Sequence, residues 1–198
     1  MSHGMISIAI LCTLLSLAHG AVAAQSNYAF QCDSGWLAWN GIARCGSIGG
    51  IQNVLEVADA GGWSHAYQEL ELESGAVYRL TTELYAEVEG ECDGSVPVTW
   101  CSPSVVVCPG KYDAEFYRAG GCYLGLHTTG KGAWEAVAAT FTATTSRATI
   151  YVPQESTTYS SWARNLQISI VQERLLFFSP IASQHVGTTA RLRSDFAV

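Results

Sequence analysis

Lysine is nearly absent from this chain. The 198 residues hold only two, and with all ten basic residues against seventeen acids the net charge is −7 and the isoelectric point about 5.1. No basic stripe interrupts the sequence, which argues against nucleic acid and other phosphate-rich partners. No Asn-x-Ser/Thr sequon occurs, so N-glycosylation plays no part in solubility. There is no Gly-x-Ser-x-Gly elbow, no His-Glu-x-x-His pair and no phosphate-cradling glycine motif after a strand, and past residue 24 the histidines are His65, His127 and His185. Glutamates at alternate strand positions offer carboxylate pairs for a glycosidase, but the chain is short for a cleft of its own, so the expectation is a non-enzyme. A convincing helical period is also missing, which leaves an all-β chain.

The one long apolar run, Ile6 to Ala18, is too short to span a bilayer. With Ala21-Val22-Ala23 as a small-x-small cleavage pattern, residues 1–24 read as a secretory signal peptide, despite an n-region without Lys or Arg; the alternative is an N-terminal membrane anchor. Secretion suits the cysteines. Cys12 leaves with the leader, and Cys32, Cys45, Cys92, Cys101, Cys108 and Cys122 form an even set in an oxidising compartment. Of the 15 connectivities that six cysteines allow, loop closure favours Cys32 with Cys45, leaving the other four to staple the middle of the chain. Zinc is the alternative for that cluster, but its spacings lack a Cys-x-x-Cys knuckle.

What is abundant is period-2 alternation. Ala66, Gln68, Leu70 and Leu72 alternate with Tyr67, Glu69, Glu71 and Glu73; after Ser74-Gly75, Tyr78, Leu80, Thr82, Leu84, Ala86 and Val88 alternate with Arg79, Thr81, Glu83, Tyr85, Glu87 and Glu89. The spacing predicts two half-buried strands joined as a hairpin. Val137, Ala139 and Phe141, then Ala148, Ile150 and Val152 before Pro153, and finally Leu166, Ile168 and Ile170 repeat the pattern. The predicted core is Leu70, Leu72, Leu80, Leu84, Phe141, Ile150, Val152, Leu166 and Ile168, with Trp134 joining it. Residues 25–173 make one domain, and the tail, residues 174–198, is expected to be poorly ordered after Pro180.

The run Tyr67 to Leu80, the segment Ala133-Trp134-Glu135-Ala136-Val137 with Phe141-Thr142-Ala143, and the closing strand Trp162 to Ile170 resemble the galactose-binding-like jelly roll. The likeness is to carbohydrate-binding modules of the family 4/9/22 type and covers roughly residues 50 to 171. It implies an antiparallel β-sandwich that binds a glycan or polysaccharide, standing alone or as the accessory module of a glycoside hydrolase. It also implies a structural calcium ion. Glu87, Glu89, Glu91 and Asp93 alternate on one face and are the candidate ligands, with an acidic solvent loop as the alternative; Asn165 stands where the family carries an acid near its closing strand.

Between Glu89 and Gly132, glycine and proline predict short strands and long loops rather than a packed layer, with disulfides substituting for core. Sugar binding needs aromatic faces against pyranose C–H patches and polar groups for the hydroxyls. The platforms are Trp63, Tyr85, Trp100, Tyr117 and Trp162, and the polar partners His65, Gln68, Arg79, Glu83 and Arg118. Glu69, Glu71, Arg79, Thr81, Glu83 and Tyr85 are expected to share the outer face of one sheet as a glycan groove. The competing function is an extracellular adhesion or matrix domain that holds protein.

Overall fold

A computed structural model describes residues 27–59, 62–87, 95–101, 103–119, 121–155 and 160–171. The expected leader and tail, Cys92, Glu89, Glu91 and Asp93 lie outside the described residues. Among the described residues, eleven strands form two sheets. The first sheet has the order β3 (Gly41–Ile48), β4 (Ile51–Asp59), β11 (Ser161–Ile170), β6 (Val77–Tyr85), β9 (Trp134–Thr142), with β1 (Asn27–Phe30) also on β11. The second has the order β2 (Leu37–Trp39), β5 (Ser64–Glu71), β10 (Arg147–Gln154), β7 (Ser104–Pro109), β8 (Leu124–His127). All these pairs are antiparallel. From β4 onward, strands 4-11-6-9 face strands 5-10-7-8, the double Greek key of a jelly roll.

The two glutamate-rich strands are therefore not a hairpin. β5 pairs with β2 and β10, and β6 with β11 and β9, so the Ser74-Gly75 turn carries the chain from one sheet to the other. A turn between sheets satisfies the same alternation, because Leu70 and Leu72 from one side and Tyr78, Leu80 and Leu84 from the other meet in one core. Gly75 takes the left-handed conformation this reversal needs, with φ +88°. It follows that Glu69 and Glu71 stand on the opposite face of the sandwich from Arg79, Thr81, Glu83 and Tyr85.

All nine predicted core residues are buried, none more than 6 % exposed. Their cluster is continuous between the sheets, with Val105, Val107 and Ala163 filling the gaps.

The middle of the chain also differs from expectation. Phe116, on the single-turn helix α1 (Phe116–Ala119), is buried against Tyr151, Val106 and Cys108 on the outside of the second sheet, with Tyr112, Tyr117 and Trp63 around it. Phe116 and Tyr151 stack with centroids 3.9 Å apart, and the Tyr112 ring lies 3.7 Å from Tyr67. Aromatic side chains thus give this glycine-rich segment a second small core. The Cys108–Cys122 disulfide closes its base, Cys32–Cys45 is paired as expected, and Cys101 is disulfide-bonded. Among the described residues no helix is long and apolar enough to cross a membrane.

Candidate functional site

The outer face of the first sheet is built by register. Arg79 lies opposite Ser169 and Thr140, Thr81 opposite Gln167 and Ala138, and Glu83 opposite Arg164 and Ala136. The alternation that buries Leu80, Thr82 and Leu84 turns these side chains outward. They enclose an open groove of about 500 Å³, with Ala136 and Ala138 as a shallow floor and Asn165 and Gln167 on the far side.

Several of these groups are fixed. Both Nε and a terminal nitrogen of Arg164 donate to Glu83 Oε2, the first at 2.9 Å, and Asn165 Nδ2 donates to Oε1 at 2.6 Å. Burial alone would push the Glu83 carboxyl up, but the bonds from Asn165 and Arg164, with the Arg164 charge, hold it below the ordinary carboxylate value. The Arg164 guanidinium also lies 4.6 Å over the Trp134 ring, which sits 5.4 Å from Tyr85. Trp134 is thus an outward, half-buried residue at the rim of the groove and not a core residue. The Trp-x-x-Val run places it correctly as a strand start; its parity, opposite to Val137, turns it outward.

Trp162 shares this face and is nonetheless 6 % exposed. The β3–β4 hairpin covers it: a Cβ on Gly46 would lie 2.6 Å from its ring, and one on Gly49 would lie 3.5 Å from both Tyr85 and Trp134. Trp162 is a buttress and no ligand can reach its ring face.

The other candidates fall on the opposite side. Trp63 and Tyr117 meet edge to face at 5.1 Å, and Trp100, 42 % exposed, is held by its indole N–H donating to the Tyr117 carbonyl at 2.7 Å. Arg118 lies over Tyr117 and bonds Glu115 at 3.3 Å. Gln68 donates to the Ser34 carbonyl at 2.9 Å. His65 is completely buried beneath this insertion, stacked on Trp39 at 5.3 Å and ringed by Tyr67, Tyr112, Phe116 and Tyr151. Burial pulls its pKa from 6.5 down to about 4. It cannot touch a sugar, so its predicted ligand role is replaced by one in packing.

The acidic candidates are represented by Glu87, whose Oε2 accepts the Ser160 backbone N–H at 3.0 Å. Glu89, Glu91 and Asp93 are outside the described residues, and no group of three metal-ligating side chains occurs among those described. Asn165 turns its amide N–H toward Glu83, the geometry of a hydrogen-bond donor. Sequence reasoning missed Gln167, Asn165 and the alanine floor, because they join Thr81 and Glu83 only through pairing across some eighty positions and a bulge between Arg164 and Gln167.

No family model matches the chain, and no curated protein does. Among solved structures, the K1 cleaved adhesin domain of Lys-gingipain from Porphyromonas gingivalis W83 superposes with a TM-score of 0.50 at 13 % identity, over 75 % of this chain and 100 % of that one. A CBM4 structure gives 0.47 at 15 % identity, over 69 % and 95 %. A carbohydrate-binding module from Cellvibrio mixtus lichenase 5A in complex with cellotriose gives 0.45 at 9 % identity, over 73 % and 98 %. At such identities the likeness is one of fold.

Proposed function

We propose that this protein is a secreted, non-catalytic glycan-binding domain that holds its ligand on the outer face of the first sheet. The observation that carries the reading is the groove itself. Thr81, Gln167 and Arg79 present hydroxyl, amide and guanidinium groups over a floor of small alanines, and the Tyr85–Trp134 pair stands at its rim. Polar groups on a rigid sheet satisfy sugar hydroxyls in set directions, and aromatic rings remove the C–H patches from water. Among the described residues Glu83 is the one carboxylate lining the groove, and both its oxygens are engaged. That supports binding over hydrolysis, which needs two carboxyl groups flanking the bond. The disulfides and the leader-like first residues support an extracellular location.

A glycan array probed with the secreted, oxidised protein tests this. Retention of a glycan, weakened about tenfold by Tyr85→Ala, roughly 1.4 kcal/mol, without loss of thermal stability, is the expected outcome. A Tyr85→Ala protein that binds as tightly as its parent would move the site elsewhere.

The Trp100 patch favours a second reading. Trp100 and Tyr117 border a hollow lined with Pro97, Val98 and Leu124, an apolar surface of the kind that docks protein. An extracellular protein captured by the parent and released by Trp100→Ala would support it.

A further inference from the structure

Asn53 and Asn165 are two of the three non-glycine residues with positive φ among those described, +57° and +52°, and each sits at a bulge. Such strained residues in strands cost energy and gather where a side chain must be aimed. These two flank one crevice. On the edge of β11 away from β6, β4 pairs with Ser161 to Ala163 and β1 with Leu166 to Ser169, so Arg164 and Asn165 fall in a gap between two partner strands. The gap opens a cavity of about 230 Å³. That is less than half the volume of the groove.

Its walls suit a neutral polyol. The exposed side-chain amides of Gln31, Gln52 and Asn53 line it and bond to no described residue, so their donors and acceptors are available. Trp36 supplies an aromatic wall, with its indole N–H anchored on the Gln31 carbonyl at 3.0 Å. Among the described residues no carboxylate lines it, and the one cation that does, Arg164, is already paired with Glu83. Asn165 borders both this cavity and the open groove, so the two adjoin at β11. β9, which lines the groove, is the edge strand of the sheet. On its other side the loop after β1 lines the cavity with Gln31, Cys32 and Trp36 and is tied to β3 by Cys32–Cys45.

We infer that the crevice seats the terminal ring of a neutral glycan whose next residues lie along the groove, so the protein recognises chain ends. This rests on the groove being the glycan site. The amides supply hydrogen bonds to the one extra hydroxyl that a terminal ring carries, and the disulfide-tied loop disfavours an internal ring. A chain net charge of −7 disfavours an anionic glycan in the same place.

The test is calorimetric titration of the full oxidised protein with short and long members of the cello-, xylo-, manno- and galacto-oligosaccharide series. End recognition gives one protein bound per chain whatever its length. The double variant Gln52→Ala/Asn53→Gly, in which glycine keeps the left-handed backbone, lowers affinity at least tenfold while thermal stability is retained. Stoichiometry that rises with chain length, or a double variant that binds like the parent, overturns end recognition and leaves the groove reading standing. A parent that binds none of the four series overturns both.

Discussion

His65 is enclosed between sheet and insertion, and neither ring nitrogen has a hydrogen-bond partner, so the neutral imidazole is the form this fold accommodates. The unfolded chain takes up its proton near pH 6.5 and the folded protein only near pH 4. Between those values the unfolded state holds more protons, so stability falls as pH drops through the window and is fully present above it. The loss reaches about 3 kcal/mol at most. Urea unfolding at neutral pH and near pH 4.5 should show this loss in the parent and a smaller one in His65→Phe; equal losses would remove His65 from the account. The neighbouring pair Leu80 and Thr81 tests the alternation itself. Leu80 is completely buried and Thr81 faces the groove. Leu80→Ala should lower the unfolding free energy by about 2–5 kcal/mol and Thr81→Ala by under about 0.5. Similar costs at the two would invert the register of β6.

At the scale of elements, strands were legible in the sequence and their partners were not. Period-2 alternation states which side chains of β5 and β6 are buried, and it was right from Ala66 to Ala86 apart from half-buried Gln68. It contains nothing on whether a Ser-Gly turn joins neighbours in one sheet or crosses to the other, since both leave the same residues facing the core. For that reason Arg79, Glu83 and Tyr85 were correctly read as one outward face, while Glu69 and Glu71 were wrongly added to it. The insertion was opaque for a different reason: the aromatics that pack it, Tyr112 and Phe116, are spaced by no secondary-structure period and find Tyr67 and Tyr151 only in three dimensions. Phe116→Ala should therefore cost about 3–5 kcal/mol in denaturant unfolding, as a core truncation would. A loop that merely covers the sheet would lose almost nothing. With Cys92 as the partner of Cys101, three disulfides predict a mass gain of about six hydrogens on reduction of the purified oxidised protein; free thiols alkylated without reductant would contradict that.

The whole molecule presents two outer faces with different chemistry. The first sheet carries a polar groove and an amide-lined crevice that adjoin at Asn165, with the fixed Glu83–Arg164–Trp134 network beside both. The second sheet is covered by the insertion and exposes Trp100 and Trp39. The jelly roll places these surfaces back to back, so a ligand on one does not reach the other, and the two readings of function separate cleanly by mutation. Affinity electrophoresis of the parent, Ala138→Arg and Trp100→Ala through gels containing the polysaccharide that the array identifies is the most direct measurement of where glycan binds. Ala138 is exposed on the groove floor, so arginine there fills the groove without touching the core. The groove account predicts retardation of the parent and of Trp100→Ala, and free migration of Ala138→Arg. Retardation of Ala138→Arg with free migration of Trp100→Ala would contradict it.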